Sequence, residues 1–243
     1  AFFRRQRQMC IRDRFLVITK KLHNEACKYL PLKKSIIHVL SYGISKPDYK
    51  LSISKKAFFD KYNMESSIFS IGVFSRIEEQ KGQHLLIEAI RKSKHKIQLF
   101  IVGHCMDERY KNKLKNISSE YNLSNHICFT GFLQSPMNYM PFFNLVVLPT
   151  YEETFGLVVA EAMLMKVPVL GSNAGGVPEI ITHESNGLLF ETRNYNDLQD
   201  KIDMVIENSQ LREKIIDNGF NFVNKYYDYY SHFDKFEKII NTY

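Results

Sequence analysis

The chain has 243 residues, of which 44% are hydrophobic and 24% charged, and its formal net charge is +7. These values are ordinary for a soluble globular protein and allow one large domain or two small ones. No apolar run approaches the roughly 18 residues of a membrane helix. The four cysteines form no Cys-x-x-Cys pair, which argues against a zinc site and a disulfide framework. We therefore expect a protein of the reducing cytosol.

The chain begins with an arginine-rich stretch, residues 1–14. A basic arm is often a nucleic-acid or anionic-membrane binding segment. The string from Arg4 to Arg14, however, resembles translated sequencing adapter. We therefore expect an artefact that is disordered and adds nothing to the fold, and no nucleic-acid partner. A disordered tail and a real basic arm remain the alternatives.

Two short apolar segments with a helix between them come next. Phe15–Thr19 and Ser35–Leu40 are strand-like, and Lys20–Tyr29 is helix-like. Residues 46–64 predict a polar linker with a short helix that Ser54 caps.

From Ser67 onward, apolar strand-like segments alternate with helical ones, which predicts an α/β fold: a Rossmann-like parallel sheet with helices on both faces. Ligands of such sheets bind beyond the carboxyl ends of the strands. The predicted strands are Ile68–Ser75, Ile97–Gly103, His126–Gly131, Asn144–Leu148 and Val167–Leu170. The predicted helices are Gly82–Lys92, Asp107–Tyr121, Thr154–Met165, Asn196–Asn208, Gln210–Tyr226 and Tyr227–Tyr243.

The stretch after the fourth predicted strand contains a candidate anion site. Thr154 is a suitable cap for a helix whose first turn holds Phe155, Gly156 and Leu157. The free N–H groups of a first turn attract anions, and Gly156 would let a ligand approach the backbone. Plain packing of helix on strand is the alternative explanation for Gly156.

Two carboxylates bracket that turn. Glu153 precedes the predicted helix and Glu161 lies in its second turn, so that they are roughly 10 Å apart along the axis. Carboxylates accept strong hydrogen bonds from hydroxyls. The pair therefore suits a nucleotide-sugar, which carries hydroxyls on both sides of its pyrophosphate. Two solvated helix glutamates are the alternative.

Two cations follow the first strand of the alternating region. Arg76 offers a planar fork of donors and Lys81 a mobile point charge, and both suit a diphosphate. Because they lie between a strand end and a helix, we expect both to face the same crevice. Two solvated surface cations are the alternative.

Taken together, these residues resemble the signature of the family-4 retaining glycosyltransferases, which have the two-domain GT-B architecture. The matching motifs are Glu153-x7-Glu161 with Phe155-Gly156-Leu157-Val158 inside it, Pro168-Val169, Gly175-Gly176-x-Pro178-Glu179, and Ser75-Arg76-x4-Lys81-Gly82. The chain departs at Lys166 and Ser75, where the family usually has Gly, and at Thr150, where Ser is common.

The resemblance implies a domain organisation. Residues 15–45 would be the remnant of an N-terminal acceptor domain and linker, with most of that domain missing. Residues 46–226 would be the nucleotide-sugar-binding domain, and residues 227–243 a helix that crosses back to the N-terminal domain.

It also implies site roles. Arg76, Lys81 and Glu153 would be catalytic: the cations bind the donor pyrophosphate and stabilise the departing diphosphate without a metal, and Glu153 binds the sugar. Glu161 would bind the ribose. The other donor-binding positions implied are Gly103, Phe132, Leu133, Thr154, Phe155, Gly156, Leu157 and Val158. For Gly103 and Phe132, ordinary strand-end packing is the alternative.

The expected reaction is transfer of a sugar from a UDP- or GDP-sugar to an acceptor hydroxyl with retention, in bacterial cell-surface polysaccharide or glycoconjugate synthesis. No cofactor is expected, and the acceptor would be a glycan or a lipid-linked molecule. The expected location is the cytoplasm or the inner face of the membrane, with peripheral membrane contact through the missing domain left open. The alternatives are a nucleotide-sugar epimerase of the same architecture and a binding module without turnover.

Overall fold

The computed structural model describes residues 14–47 and 52–241, which fall into two compact units. The first comprises the described residues up to Ser45 together with those from Tyr227 onward. The second runs from Lys46 to Tyr226 and contains the large sheet. Of the arginine-rich start, only Arg14 lies within the described residues.

The first unit is built on two short parallel strands, β1 (Phe15–Val17) and β2 (Ile37–Val39). The helix α1 (Lys20–Tyr29) lies between them in sequence and begins after Thr19, whose hydroxyl accepts from the backbone of the first turn. A 3-10 turn, Lys34–Ile36, leads into β2. Both strands are shorter than the segments predicted for them. The last helix of the chain, Tyr229–Asn241, belongs to this unit.

A six-stranded parallel sheet forms the centre of the second unit, as the alternating pattern predicted. Its strands pair in the order β5-β4-β3-β6-β7-β8, so the order reverses between β3 and β6. All residues of β4 are buried, as expected for a strand covered on both faces. The strands are β3 (Phe69–Phe74), β4 (Ile97–Val102), β5 (Ile127–Gly131), β6 (Leu145–Leu148), β7 (Val169–Ser172) and β8 (Leu188–Phe190).

Helices cover both faces of this sheet, which confirms the predicted fold class. The helices are α2 (Lys55–Lys61), α3 (Gln83–Lys92), α4 (Glu108–Glu120), α5 (Leu157–Leu164), α6 (Val177–Ile180), α7 (Tyr195–Glu207) and α8 (Ser209–Tyr226). The 3-10 segments are Glu79–Lys81, Ser124–His126 and Pro136–Phe142. The prediction missed β8 and α6, because elements of three or four residues are too short to show a period.

The short helix α2 is part of the core, which corrects the prediction of a polar linker. Ser54 caps it as predicted, since its hydroxyl accepts from the backbone N–H of Ala57. Phe58 and Phe59 are fully buried, and the Phe59 ring centroid lies 4.7 Å from that of Phe100 on β4. Two adjacent phenylalanines in a polar stretch were the signal for this packing.

We expect Phe59→Ala to lower the free energy of unfolding of the second unit by about 3–5 kcal/mol, because a buried ring is replaced by a cavity. Denaturant unfolding measures this. The control is Phe132→Ala, which removes a ring that is 72% exposed and should change stability by less than about 0.5 kcal/mol. Equal losses in the two variants would contradict the burial of α2 against the sheet.

Candidate functional site

The reversal of strand order defines the place where a ligand is expected. In open parallel sheets, ligands bind beyond the carboxyl ends of the strands at the point where the order reverses. Here that point lies between β3 and β6. The loop after β3, residues 75–82, contains Arg76 and Lys81, and the loop after β6, residues 149–156, contains Glu153. Sequence and topology therefore select the same crevice.

Main-chain hydrogen bonds join these two loops. The backbone N–H of Tyr151 donates to the carbonyl of Gln80 at 2.9 Å, and the Thr150 hydroxyl donates to the same carbonyl at 3.2 Å. Gly82 has a φ of +67° and lies so close to the carbonyl of Pro149 that a side chain would overlap it. The loops are thus fixed against each other before any ligand binds.

Lys81 and Glu153 form an ion pair across the crevice. The Lys81 Nζ lies 3.1 Å from Glu153 Oε2, and the two side chains are only 18% and 20% exposed. Arg76 is placed differently: its guanidinium lies 2.9 Å from Glu78 Oε1, and its side chain is 59% exposed. The structure therefore brings Lys81 and Glu153 together, and it pairs Arg76 with a residue that the sequence analysis did not consider.

The two consecutive glycines of the motif support Glu153 from the other side. The backbone N–H of Gly176 donates to the Glu153 carbonyl at 2.8 Å. Gly175 has a φ of +58°, and a side chain there would overlap the same carbonyl. The glycines thus let the segment after β7 approach the loop that positions Glu153.

The helix α5 begins later than predicted, which corrects the role given to Thr154. The helix starts at Leu157 after Gly156, which has a φ of +97°, and no side chain caps it. Thr154 lies two residues before that cap position and is exposed. A Cβ on Gly156 would meet its nearest atom, in Val177, at 3.4 Å, so the left-handed conformation rather than close packing requires glycine here.

The remaining residues of this turn have different exposures. Phe155 is buried and its side chain belongs to the core, whereas Leu157 is 40% exposed and Val158 partly buried. The backbone N–H groups of Leu157 and Val158 stand at the helix start, where an α-helix leaves its first donors without intrahelical partners. This geometry matches the predicted anion site, but its occupation stays a prediction.

Glu161 is a partly buried acid in α5. Burial raises the pKa of its carboxyl to about 7. Within residues 14–47 and 52–241, no hydrogen bond or ion pair to this carboxyl is found. A carboxyl in this position has unused capacity to accept hydrogen bonds, which suits a hydroxyl-bearing ligand.

A second cavity of about 400 Å³ lies at the carboxyl ends of β4 and β5. Its lining includes Gly103, His104, Lys111, Thr130 and Phe132. Ile77, the neighbour of Arg76 in the loop after β3, also lines it. The exposed Phe132 side chain offers an aromatic face at this cavity on which a flat ring could stack.

Two of the predicted donor-binding positions, Leu133 and Gly103, have explanations in this structure that need no ligand. Leu133 is buried and does not line the cavity formed by the described residues. A side chain on Gly103, whose φ is +148°, would overlap the carbonyl of Ser75. Strand-end packing therefore explains Gly103 without a ligand. Its contact with a nucleotide stays a prediction.

The sequence analysis missed a partly buried histidine that supports the crevice. His84 on α3 lies with Nδ1 2.8 Å from the Tyr110 hydroxyl and with Nε2 2.6 Å from the Tyr151 hydroxyl. Burial lowers the pKa of His84, so the neutral ring donates through one nitrogen and accepts through the other. The network holds Tyr151 two residues before Glu153. No local pattern marks it, since its partners are far apart in sequence.

The described ranges, residues 14–47 and 52–241, contain neither a metal-ligand cluster nor a membrane-spanning helix. No group of three or more His, Cys, Asp or Glu side chains there is placed to hold a metal ion. None of the helices in those ranges is long and apolar enough to cross a bilayer.

The fold and the crevice together define a doubly wound α/β domain with a polar crevice at its switch point. The chain belongs to the group 1 glycosyl transferases, whose family model matches residues 54–222. This confirms a glycosyltransferase domain of GT-B type. Assignment to family 4 stays a prediction.

Relatives agree with this membership. The capsular polysaccharide biosynthesis glycosyltransferase CapM of Staphylococcus aureus is 24% identical over 96% of this chain and 62% of its own length. The chain spans 55–62% of the length of the curated relatives that it matches over most of its own sequence.

Solved structures show the same fold. Anabaena HepE, solved in complex with UDP and glucose, superposes with a TM-score of 0.84 at 24% identity, over 93% of this chain and 62% of its own. The C-terminal domain of the group 1 glycosyl transferase LpcC of Francisella tularensis is 30% identical, with a TM-score of 0.63 over 74% of this chain and 95% of its own.

We expect Glu161→Gln to stabilise the protein above pH 7. The folded-state pKa of about 7 exceeds the ordinary value of 4.5. The contribution of Glu161 to the free energy of unfolding is therefore fully present below pH 4.5 and is lost as the pH rises through 7. The glutamine removes this loss, which amounts to about 3 kcal/mol. The measurement is the free energy of unfolding against pH.

The control for this change is Glu152→Gln, since Glu152 is exposed in the same region. As an exposed substitution it should change the free energy of unfolding by less than about 0.5 kcal/mol. A Glu161→Gln curve that runs parallel to the wild-type curve between pH 4.5 and 7 would show that Glu161 titrates normally.

Proposed function

We propose that the second unit binds a nucleotide-sugar at the crevice between the β3 and β6 loops. The observation that carries the proposal is the largely buried Lys81–Glu153 ion pair at the switch point of the sheet. A cation and a carboxylate side by side match a ligand in which a pyrophosphate adjoins a sugar. HepE, which has the same fold, was solved with UDP and glucose.

The roles follow from chemistry and placement. Lys81 and Arg76 bind the pyrophosphate, and preorganised cations stabilise the charge that grows on a departing diphosphate. Glu153 accepts hydrogen bonds from sugar hydroxyls, and Glu161 accepts them from the ribose. The first-turn N–H groups at Leu157 provide further donors to the phosphates.

For the whole protein we propose transfer of the sugar to an acceptor hydroxyl with retention of configuration, as in the family-4 enzymes that its motifs resemble. The donor would be a UDP- or GDP-sugar, used without a metal or another cofactor, and the acceptor a glycan or a lipid-linked molecule. CapM supports a role in cell-surface polysaccharide synthesis, since its name assigns it to capsular polysaccharide biosynthesis. We propose that the enzyme is located in the cytoplasm at the inner face of the membrane, where such acceptors would be accessible.

Calorimetric titration with a free nucleoside diphosphate and with the matching sugar nucleotide tests the roles. Binding of both ligands should be weaker in Lys81→Ala, Arg76→Ala and Glu161→Ala. The reason is that the three wild-type residues contact the pyrophosphate or the ribose, which both ligands contain. Loss of a hydrogen bond to a charged group typically costs about 1.5–3 kcal/mol, or roughly ten- to a hundredfold in affinity. Glu153→Ala should weaken binding of the sugar nucleotide and spare the free diphosphate, since only the former carries the sugar that Glu153 contacts.

The control is Glu152→Ala, an exposed neighbour that should leave both dissociation constants unchanged. Equal weakening of both ligands by Glu153→Ala, or no effect of Arg76→Ala, would refute the roles. A wild-type chain that binds none of the UDP-, GDP- and ADP-sugars would refute the proposed function.

A further inference from the structure

We propose that Glu78 determines the affinity of the crevice, because its carboxylate competes with the diphosphate of the ligand for the Arg76 guanidinium. The inference rests on the proposed function, which places a diphosphate at Arg76. Its basis is the 2.9 Å contact between Arg76 Nη2 and Glu78 Oε1. The Glu78 side chain is only 23% exposed, so the carboxylate is held close to the protein surface.

The backbone builds this pair into the loop. Ile77, between the two charged residues, is 1% exposed and pairs with Cys105 as in a parallel sheet. Its N–H donates to the carbonyl of His104 at 2.9 Å. Side chains alternate between the two faces of an extended chain. Because Ile77 points into the protein, Arg76 and Glu78 share the opposite face.

The main chain at Arg76 is also held by a buried glutamine side chain. The carbonyl of Arg76 accepts from the Gln83 side-chain amide at 2.8 Å, and this glutamine is fully buried. The same amide donates to the Ser75 hydroxyl at 3.0 Å. The main chain that carries Arg76 is thus fixed from both directions, and only its long side chain is left to change partner.

In the free crevice, both cations assigned to the diphosphate already have a carboxylate partner. Lys81 is paired with Glu153, and Arg76 with Glu78. Glu153 keeps a function when the donor binds, since the sugar hydroxyls would then contact it. Glu78 has no such role, so its carboxylate loses its partner when the diphosphate takes Arg76. Binding is therefore an exchange of anions at this guanidinium.

The exchange lowers the affinity of the crevice for the donor and for the nucleoside diphosphate product alike. It also speeds dissociation of the product. Its size is set by the strength of the Arg76–Glu78 pair. Because Arg76 is 59% exposed, water screens the pair. Exposed ion pairs of this kind correspond to an affinity change of about two- to fivefold.

The test compares Glu78→Gln with Glu79→Gln by calorimetry at low ionic strength. The probe is whichever of UDP, GDP and ADP binds the wild-type chain most tightly. Glu79→Gln is a matched control, since it removes the same charge from the same loop. Glu79 pairs with Lys113, 3.0 Å away, and not with Arg76. We expect Glu78→Gln to lower the dissociation constant about two- to fivefold and Glu79→Gln to lower it by clearly less.

A double-mutant cycle separates direct competition from a general change in charge. In the Arg76→Ala background, Glu78→Gln should tighten binding no more than Glu79→Gln does, because the contested guanidinium is absent. An undiminished gain in that background, an equal gain in Glu79→Gln, or no gain in Glu78→Gln would each overturn the proposal. A wild-type chain that binds none of the three diphosphates would overturn the proposed function as well, whereas binding without a gain in Glu78→Gln overturns this inference alone.

Discussion

Main-chain hydrogen bonds between three loops at the carboxyl end of the sheet hold the candidate site together. Tyr151 donates to the carbonyl of Gln80, and Gly176 donates to that of Glu153. Such contacts need backbones at van der Waals distance, which a side chain at Gly175 or Gly82 would prevent. The positions of Lys81 and Glu153 depend on this close approach.

One acidic group of the candidate site has a cost to stability. Glu161 is partly buried with no ion pair to any of the described residues, and this burial raises the pKa of its carboxyl to about 7. The two assigned cations, by contrast, are paired with carboxylates in the free protein. A ligand with hydroxyls and a diphosphate would supply partners to the first group and compete for the others. In the free site the loops are thus already in position, but the two cations are still paired with carboxylates of the protein.

Much of the fold followed from pattern alone, and the exceptions have local reasons. The alternation of apolar strands with helices predicted the parallel sheet, because buried strands and amphipathic helices have different periods. The start of α5 was misplaced, since the sequence does not reveal that Gly156 adopts a left-handed conformation. The linker prediction was wrong because two phenylalanines in a polar stretch, Phe58 and Phe59, pack into the core.

For the site, the sequence by itself determined the kinds of groups and the loops that hold them. Arg76, Lys81, Glu153 and Glu161 were all predicted from residue type and motif, and their roles in binding stay predictions. Tertiary structure alone decided which of them are partners: Lys81 meets Glu153, Arg76 meets Glu78, and His84 joins two tyrosines. The reason is physical, since a motif specifies spacing along the chain, whereas ion pairs and burial depend on distances between loops that only the folded sheet brings together.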